Sequence, residues 1–183
     1  MKEINKLNEE FKKATKAQKR VMIAQDVLAQ LKAKRYVAES GCWVQANYNS
    51  SATWADIKYT DSVQELFAEK TIESCNVCAL GGLFMSCTNL NNNTTVGDLT
   101  KESYIGDLVA DDDKISNGLN RIFTQKQLIL IESYFEGSQG YFKGDDVKTF
   151  VFLETYNDDE RLKMITQNII DNNGTFKPKK LDI

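Results

Sequence analysis

The chain contains no histidine. That absence removes Ser-His-Asp and Cys-His catalysis, HExxH zinc proteolysis, histidine metal sites and a histidine pH switch together. Any remaining chemistry would have to run on carboxylates, lysine, tyrosine or cysteine. No catalytic motif built from those is present, so the expectation leans away from an enzyme and toward a protein that binds. Proline is almost absent too. Pro178 is the single one, which leaves residues 1–177 without a ring to break a helix. A continuous apolar run of the roughly 20 residues needed to cross a bilayer is also missing. The N-terminus carries Lys2, Glu3, Asn5, Lys6, Asn8 and Glu9 where a signal peptide would be apolar. These features predict a cytoplasmic chain with no membrane association, whose Cys42, Cys75, Cys78 and Cys87 are reduced.

What is present predicts a mainly α protein: one helical domain over residues 1–183 around a buried central helix, with a minor extended or β part. Apolar residues make up 42% and charged residues 27% of the 183, proportions typical of globular proteins. The central element is the stretch TIESCNVCALGGLFMSCTN, Thr71 to Asn89. From Val77 to Met85 it has no charged side chain, so a helix over residues 74–88 would be apolar on nearly every face and must lie inside the fold.

Helical spacing predicts further helices over residues 2–13 (Ile4, Leu7, Phe11), 16–35 after a Thr15 cap (Val21, Ala24, Leu28, Leu31), and 125–136 after a Thr124 cap (Leu128, Ile131, Phe135). Ser62 with Glu65, and Asn157 with Glu160, have the spacing of helix starts. Weaker helices are expected after Thr100 and over 115–122. Residues 36–48 and 147–156 read as extended. Residues 1–14 are expected to protrude as an N-terminal helix, and residues 175–183 to form a mobile tail.

Charge is unevenly placed. Residues 1–35 carry ten Lys or Arg against four Asp or Glu, a balance of +6, while the net charge of the whole chain is −3. A basic arm on an acidic body suits nucleic acid, an acidic protein surface or a second copy of the chain, although a solvated helix face is the plainer reading.

Four constellations invite chemistry. Cys75 and Cys78 form C-x-x-C, and with Cys87 and Cys42 would supply four thiolates to zinc. The second pair is 45 residues apart, however, so burial as small hydrophobes is favoured and no metal or other cofactor is expected. Gly81-Gly82 lacks the context of a phosphate loop, and the small residues Ala79, Gly82 and Ser86 predict close helix packing instead. The acidic sets 111–113, 145–146 and 158–160 do not fit a calcium loop and read as helix-start carboxylates. Finally, Trp43, Tyr48, Trp54 and Tyr59 lie beside the amides Gln45 and Asn47, the combination that stacks on a ring and reads its edge. These six are the candidate ligand-binding residues for a small molecule or nucleotide, against the alternative that the aromatics cover a core edge.

CNVCALGGLF (Cys75 to Phe84) resembles the C-A-L-G-A-L type helix of small, largely uncharacterised bacteriophage and prophage proteins. The likeness extends to VAESG (Val37 to Gly41), FTQKQLILIESYFEG (Phe123 to Gly137) and RLKMITQNIIDNNGTFKP (Arg161 to Pro178). It carries no catalytic residue with it. It implies an accessory protein of a mobile element, working in the host cytoplasm by binding a host protein and inhibiting a host defence component. Nucleic-acid binding through the basic N-terminal helices and self-association into an oligomer are the other expectations for partners.

Overall fold

The structure, a computed structural model, describes residues 2–50, 57–58, 62–91, 119–136 and 156–178. It is mainly helical, with a small three-stranded sheet. The helices are α1 (Lys2–Lys13), α2 (Lys16–Lys32), α3 (Val63–Ala68), α4 (Ala79–Asn91), α5 (Gln125–Glu136) and α6 (Asp158–Asp171). The strands are β1 (Tyr36–Ala38), β2 (Val44–Tyr48) and β3 (Ile72–Val77). Among the described residues no helix is long and apolar enough to cross a membrane. The expected segments after Thr100 and at 147–155 lie outside the described residues, as do residues 115–118 and the acidic sets 111–113 and 145–146.

The central stretch divides in two. Residues 72–77 form the middle strand of the sheet rather than the first turns of a helix, and the helix begins at Ala79. The reason is in the sequence SCNV: Cys75 and Val77 go to the core while Ser74 and Asn76 do not, the period of a pleated strand, and Ile72 reaches the core beyond a register shift against Asn47 and Tyr48. β1 pairs with β3 in parallel and β2 pairs with it antiparallel, so one six-residue strand organises both neighbours.

Cys78 then caps α4. Its sulfur accepts the Gly81 N–H at 3.4 Å, and its carbonyl accepts the first helical bond from Gly82. From Ala79 to Cys87 every residue of α4 is buried, as the apolar run predicts.

The two adjacent glycines serve different neighbours. Gly82 leaves room for Val77, Leu162 of α6 and Val27 of α2, each 3.5–3.8 Å from where a Cβ would be. Gly81 meets the start of β2, where a Cβ would stand 1.8 Å from the Trp43 carbonyl oxygen. The glycine pair therefore admits helices on one side, at Gly82, and main chain on the other, at Gly81.

Capping boxes start α2 at Thr15 and α6 at Asn157. Three helices end the same way. Lys34, Lys70 and Asn173 adopt φ of 57°, 61° and 53°, and each is followed by an amide that reaches back to the helix: Arg35 to Gln30, Thr71 to Leu66, and Gly174 to Ile169.

α1 lies against the body through Phe11 and Asn8, both buried, while Leu7 stays exposed. The first residues of the expected tail are held in place. The Gln127 side chain donates to the Phe176 carbonyl at 3.2 Å and accepts its N–H at 2.7 Å, and Asn168 makes the same pair of bonds with Lys177. Phe176 is buried edge-on against Tyr134.

Candidate functional site

The β-strand alternation sorts the predicted site residues onto two faces. Along β3 and its partners, Tyr36, Ala38, Ala46, Cys75 and Val77 face or pack on the core. Val37, Gln45, Asn47, Ser74 and Asn76 occupy the other face, with Val37, Asn76 and Gln45 in one cross-strand row and Asn47 opposite Ser74 in the next.

Of the six candidates, Gln45 is exposed and Asn47 half-buried on this outer face. Tyr48 is half-buried against the core, and Trp43 is only 5% exposed, its ring 5.6 Å from that of Phe84. Trp54 and Tyr59 lie outside the described residues. The amides are thus brought together, whereas Trp43 and Tyr48 belong to the core side. Sequence reading did not find Glu39, Ser74 and Asn76, because the segment holding the last two read as helix; the polar-apolar alternation of Ser74 to Val77 was the available signal.

These residues form one hydrogen-bonded ladder. Asn47 Nδ2 donates to Ser74 Oγ at 3.0 Å and to Asn76 Oδ1 at 2.7 Å, and Asn76 Nδ2 donates to the Glu39 carboxylate. An ionised carboxylate only accepts, so Glu39 fixes the orientation of Asn76, and Asn76 then fixes that of Asn47. Both protons of the Asn47 amide are consequently committed within the ladder. The ladder's remaining capacity is acceptors at Asn47 Oδ1 and the other lone pairs of Glu39, together with one Asn76 amide proton and the Ser74 hydroxyl proton. Exposed Gln45 stands beside Asn76.

The ladder ends at the turn between β1 and β2, which three carboxylates hold. β1 is an edge strand, and the amides of its last residue and of the turn after it are taken up by acids from α5 and α6: Ala38 N–H by Asp159 at 3.1 Å, Ser40 N–H by Asp158 at 2.6 Å and Gly41 N–H by Glu136 at 2.9 Å. Gly41 has φ +74°, which the turn requires. Arg161 pairs with Asp158 and donates to the Phe135 carbonyl at 2.7 Å.

Burial pushes the Asp158 carboxyl up, but the Ser40 amide and Arg161 outweigh it and leave it below the usual range. On α5 the balance is reversed. Burial, and then the charge of Glu136 one turn away, push Glu132 up to about 7; burial also raises Glu136 against the pull of Gly41 and Arg161.

None of the thiols is activated. All four cysteines are free, and burial pushes Cys75 and Cys78 up to about 12 and Cys87 to about 11. At Cys78 burial prevails over the helix N-terminus, which would ordinarily favour a thiolate. Cys42 is half-buried at the turn, and burial followed by Glu39 and Glu136 raises it as well. Among the described residues no group of three or more acids or cysteines is placed to hold a metal ion.

A second polar cluster lies between α2, β1 and α4. Gln30 Nε2 donates to Asp26 at 3.1 Å, and Asn89 Nδ2 donates to the Tyr36 hydroxyl at 3.1 Å. Burial drives the Asp26 carboxyl up, with Ser86, Gln30, Arg35 and Asn89 pulling it part of the way back. This cluster joins three elements in the interior, whereas the ladder is presented outward.

No protein-family model, curated protein or solved structure matches the chain.

Proposed function

We propose that this chain acts by binding a partner protein, and that the outer face of its sheet is the recognition surface, selective for a segment rich in hydrogen-bond donors, arginine or lysine above all. The observation that carries the reading is the polarity of the ladder. Both Asn47 amide protons are used inside the ladder, while the exposed Glu39 carboxylate brings negative charge and keeps acceptor capacity beyond its bond from Asn76. A guanidinium group presents five donors and no acceptor, and so complements such a row.

The strand hydrogen bonds and the carboxylates at the turn hold the ladder's main chain before any partner arrives, which lowers the ordering cost of binding. The cysteines support binding over catalysis, since burial keeps their thiols protonated.

The resemblance to phage and prophage proteins directs the search to host proteins, host-defence components among them, with the chain acting as an accessory inhibitor in the host cytoplasm. Capture from host extract on the native chain tests the reading, provided the bait is compared with Glu39→Lys. That change replaces an outward acceptor with a donor and a positive charge, so a partner that depends on the face should be lost.

A further inference from the structure

We infer that a second copy of this chain docks in the groove between α1 and α2, giving a two-fold symmetric dimer. The groove has a volume of about 680 Å³, and Leu7, Ala14, Ala17, Val21 and Met22 supply its apolar lining. Leu7 is 41% exposed in the single chain, because α1 uses Asn8 and Phe11 to reach the body and leaves its next face uncovered. Ala14 and Ala17 lie half-buried at the elbow between the helices, where small side chains leave room for a larger one.

Charge selects the occupant. Glu10 and Lys13 both line the groove. Among the described residues Lys13 makes no ion pair, and Glu10 has only an exposed contact with Lys6 at 3.9 Å, a kind of pair that contributes little and exchanges readily.

An interface about a two-fold axis brings one patch against itself, so a patch carrying one acid and one base is self-complementary when the axis lies between them. An antiparallel pairing of the two α1 helices can put Glu10 of each copy opposite Lys13 of the other, and it carries Leu7 past the end of the partner's α1, which stops at Lys13 before the elbow that Ala14 and Ala17 line. A single groove is smaller than the roughly 1,600 Å² of a standard interface, so the dimer should dissociate on dilution.

Sedimentation equilibrium of the full chain from about 1 to 300 μM, a span covering weak association, tests this. The wild type should show a reversible monomer–dimer equilibrium. Leu7→Glu should weaken it by roughly tenfold or more, and Glu10→Lys and Lys13→Glu should each weaken it several-fold. Mixing those two charge variants should restore association, because one copy then carries two bases at the paired positions and meets two acids on the other. Far-UV circular dichroism checks that each variant stays folded, as expected for exposed positions. A wild type that remains monomeric throughout overturns the inference and leaves the groove to another occupant. A dimer indifferent to Leu7→Glu, or variants that fail to recover on mixing, overturns it equally.

Discussion

The main-chain carbonyl oxygen of Trp43 occupies the place that a side chain on Gly81 would need, 1.8 Å from an ideal Cβ. This contact lets the central helix approach the start of β2, and it separates the two adjacent glycines. Gly81→Ala should destabilise the fold by about 3 kcal/mol, since the obstruction is backbone and cannot rotate away. Gly82→Ala meets only ordinary contacts at 3.5–3.8 Å and gains helix propensity, so its effect should stay within about 1 kcal/mol. Urea unfolding of both variants measures the difference. Equal costs would contradict the assignment.

Glu132 gives the fold a specific pH dependence. Its pKa is raised from 4.5 to about 7, burial first and Glu136 second. Between about 4.5 and 7 the unfolded chain therefore loses this proton before the folded chain does. The contribution of Glu132 to stability is fully present below that window and declines as pH rises through it. Discounted for partial exposure, Glu132→Gln should be more stable than wild type by about 1–2 kcal/mol at pH 8, with the gap closing by pH 4. Unfolding midpoints across that range provide the check, and a gap that widens on acidification would contradict it.

Thiol reactivity should follow burial. Of the four cysteines, only Cys42 is not fully buried, and its thiol pKa is raised, so in the native chain it alone should react with a disulfide reagent at pH 8, and slowly. Cys75, Cys78 and Cys87 should react only on unfolding. Cys42→Ser should remove the native signal. Fast reaction of two or more native thiols would contradict the protonated interior described above.

Lys34 and Lys70 sit in a backbone region that L side chains enter at a cost of roughly 1–2 kcal/mol. Replacing either with glycine should raise stability by about 0.5–1 kcal/mol after allowing for the added freedom of the unfolded chain. Thermal unfolding tests this, and a loss of stability in both variants would mean that the lysine side chains contribute more than their backbone strain costs.

How much of this was legible in the sequence depended on how far each signal was local. Helices with a cap and a periodic face were read closely: Gln125–Glu136 agrees with the Thr124 cap and the Leu128, Ile131, Phe135 stripe, and Asp158–Asp171 follows its Asn157 box. β3 was misread because Ile72–Val77 runs directly into the apolar helix and its strand character depends on β1 and β2, up to about forty residues earlier, a tertiary effect that propensity does not encode. The same error hid Ser74 and Asn76, and with them the ladder. Gln45 and Asn47 fall on one face because they alternate within the recognisable strand β2. Tyr48 was grouped with them by proximity in sequence, which alternation across the strand overrides, and Trp43 precedes β2 and turns inward onto Phe84.

The most direct test of the central claim is the affinity of the captured partner for the chain, measured by titration calorimetry with the wild type, Glu39→Lys and Gln45→Arg, with Lys13→Glu on the opposite charge system as control. The ladder account predicts that both sheet-face variants lose roughly tenfold or more in Kd, keep the wild-type unfolding midpoint, and bind less tightly as salt rises, while Lys13→Glu binds as wild type. A partner held equally well by the two sheet-face variants, or lost only with Lys13→Glu, would place recognition elsewhere on the molecule and contradict the account.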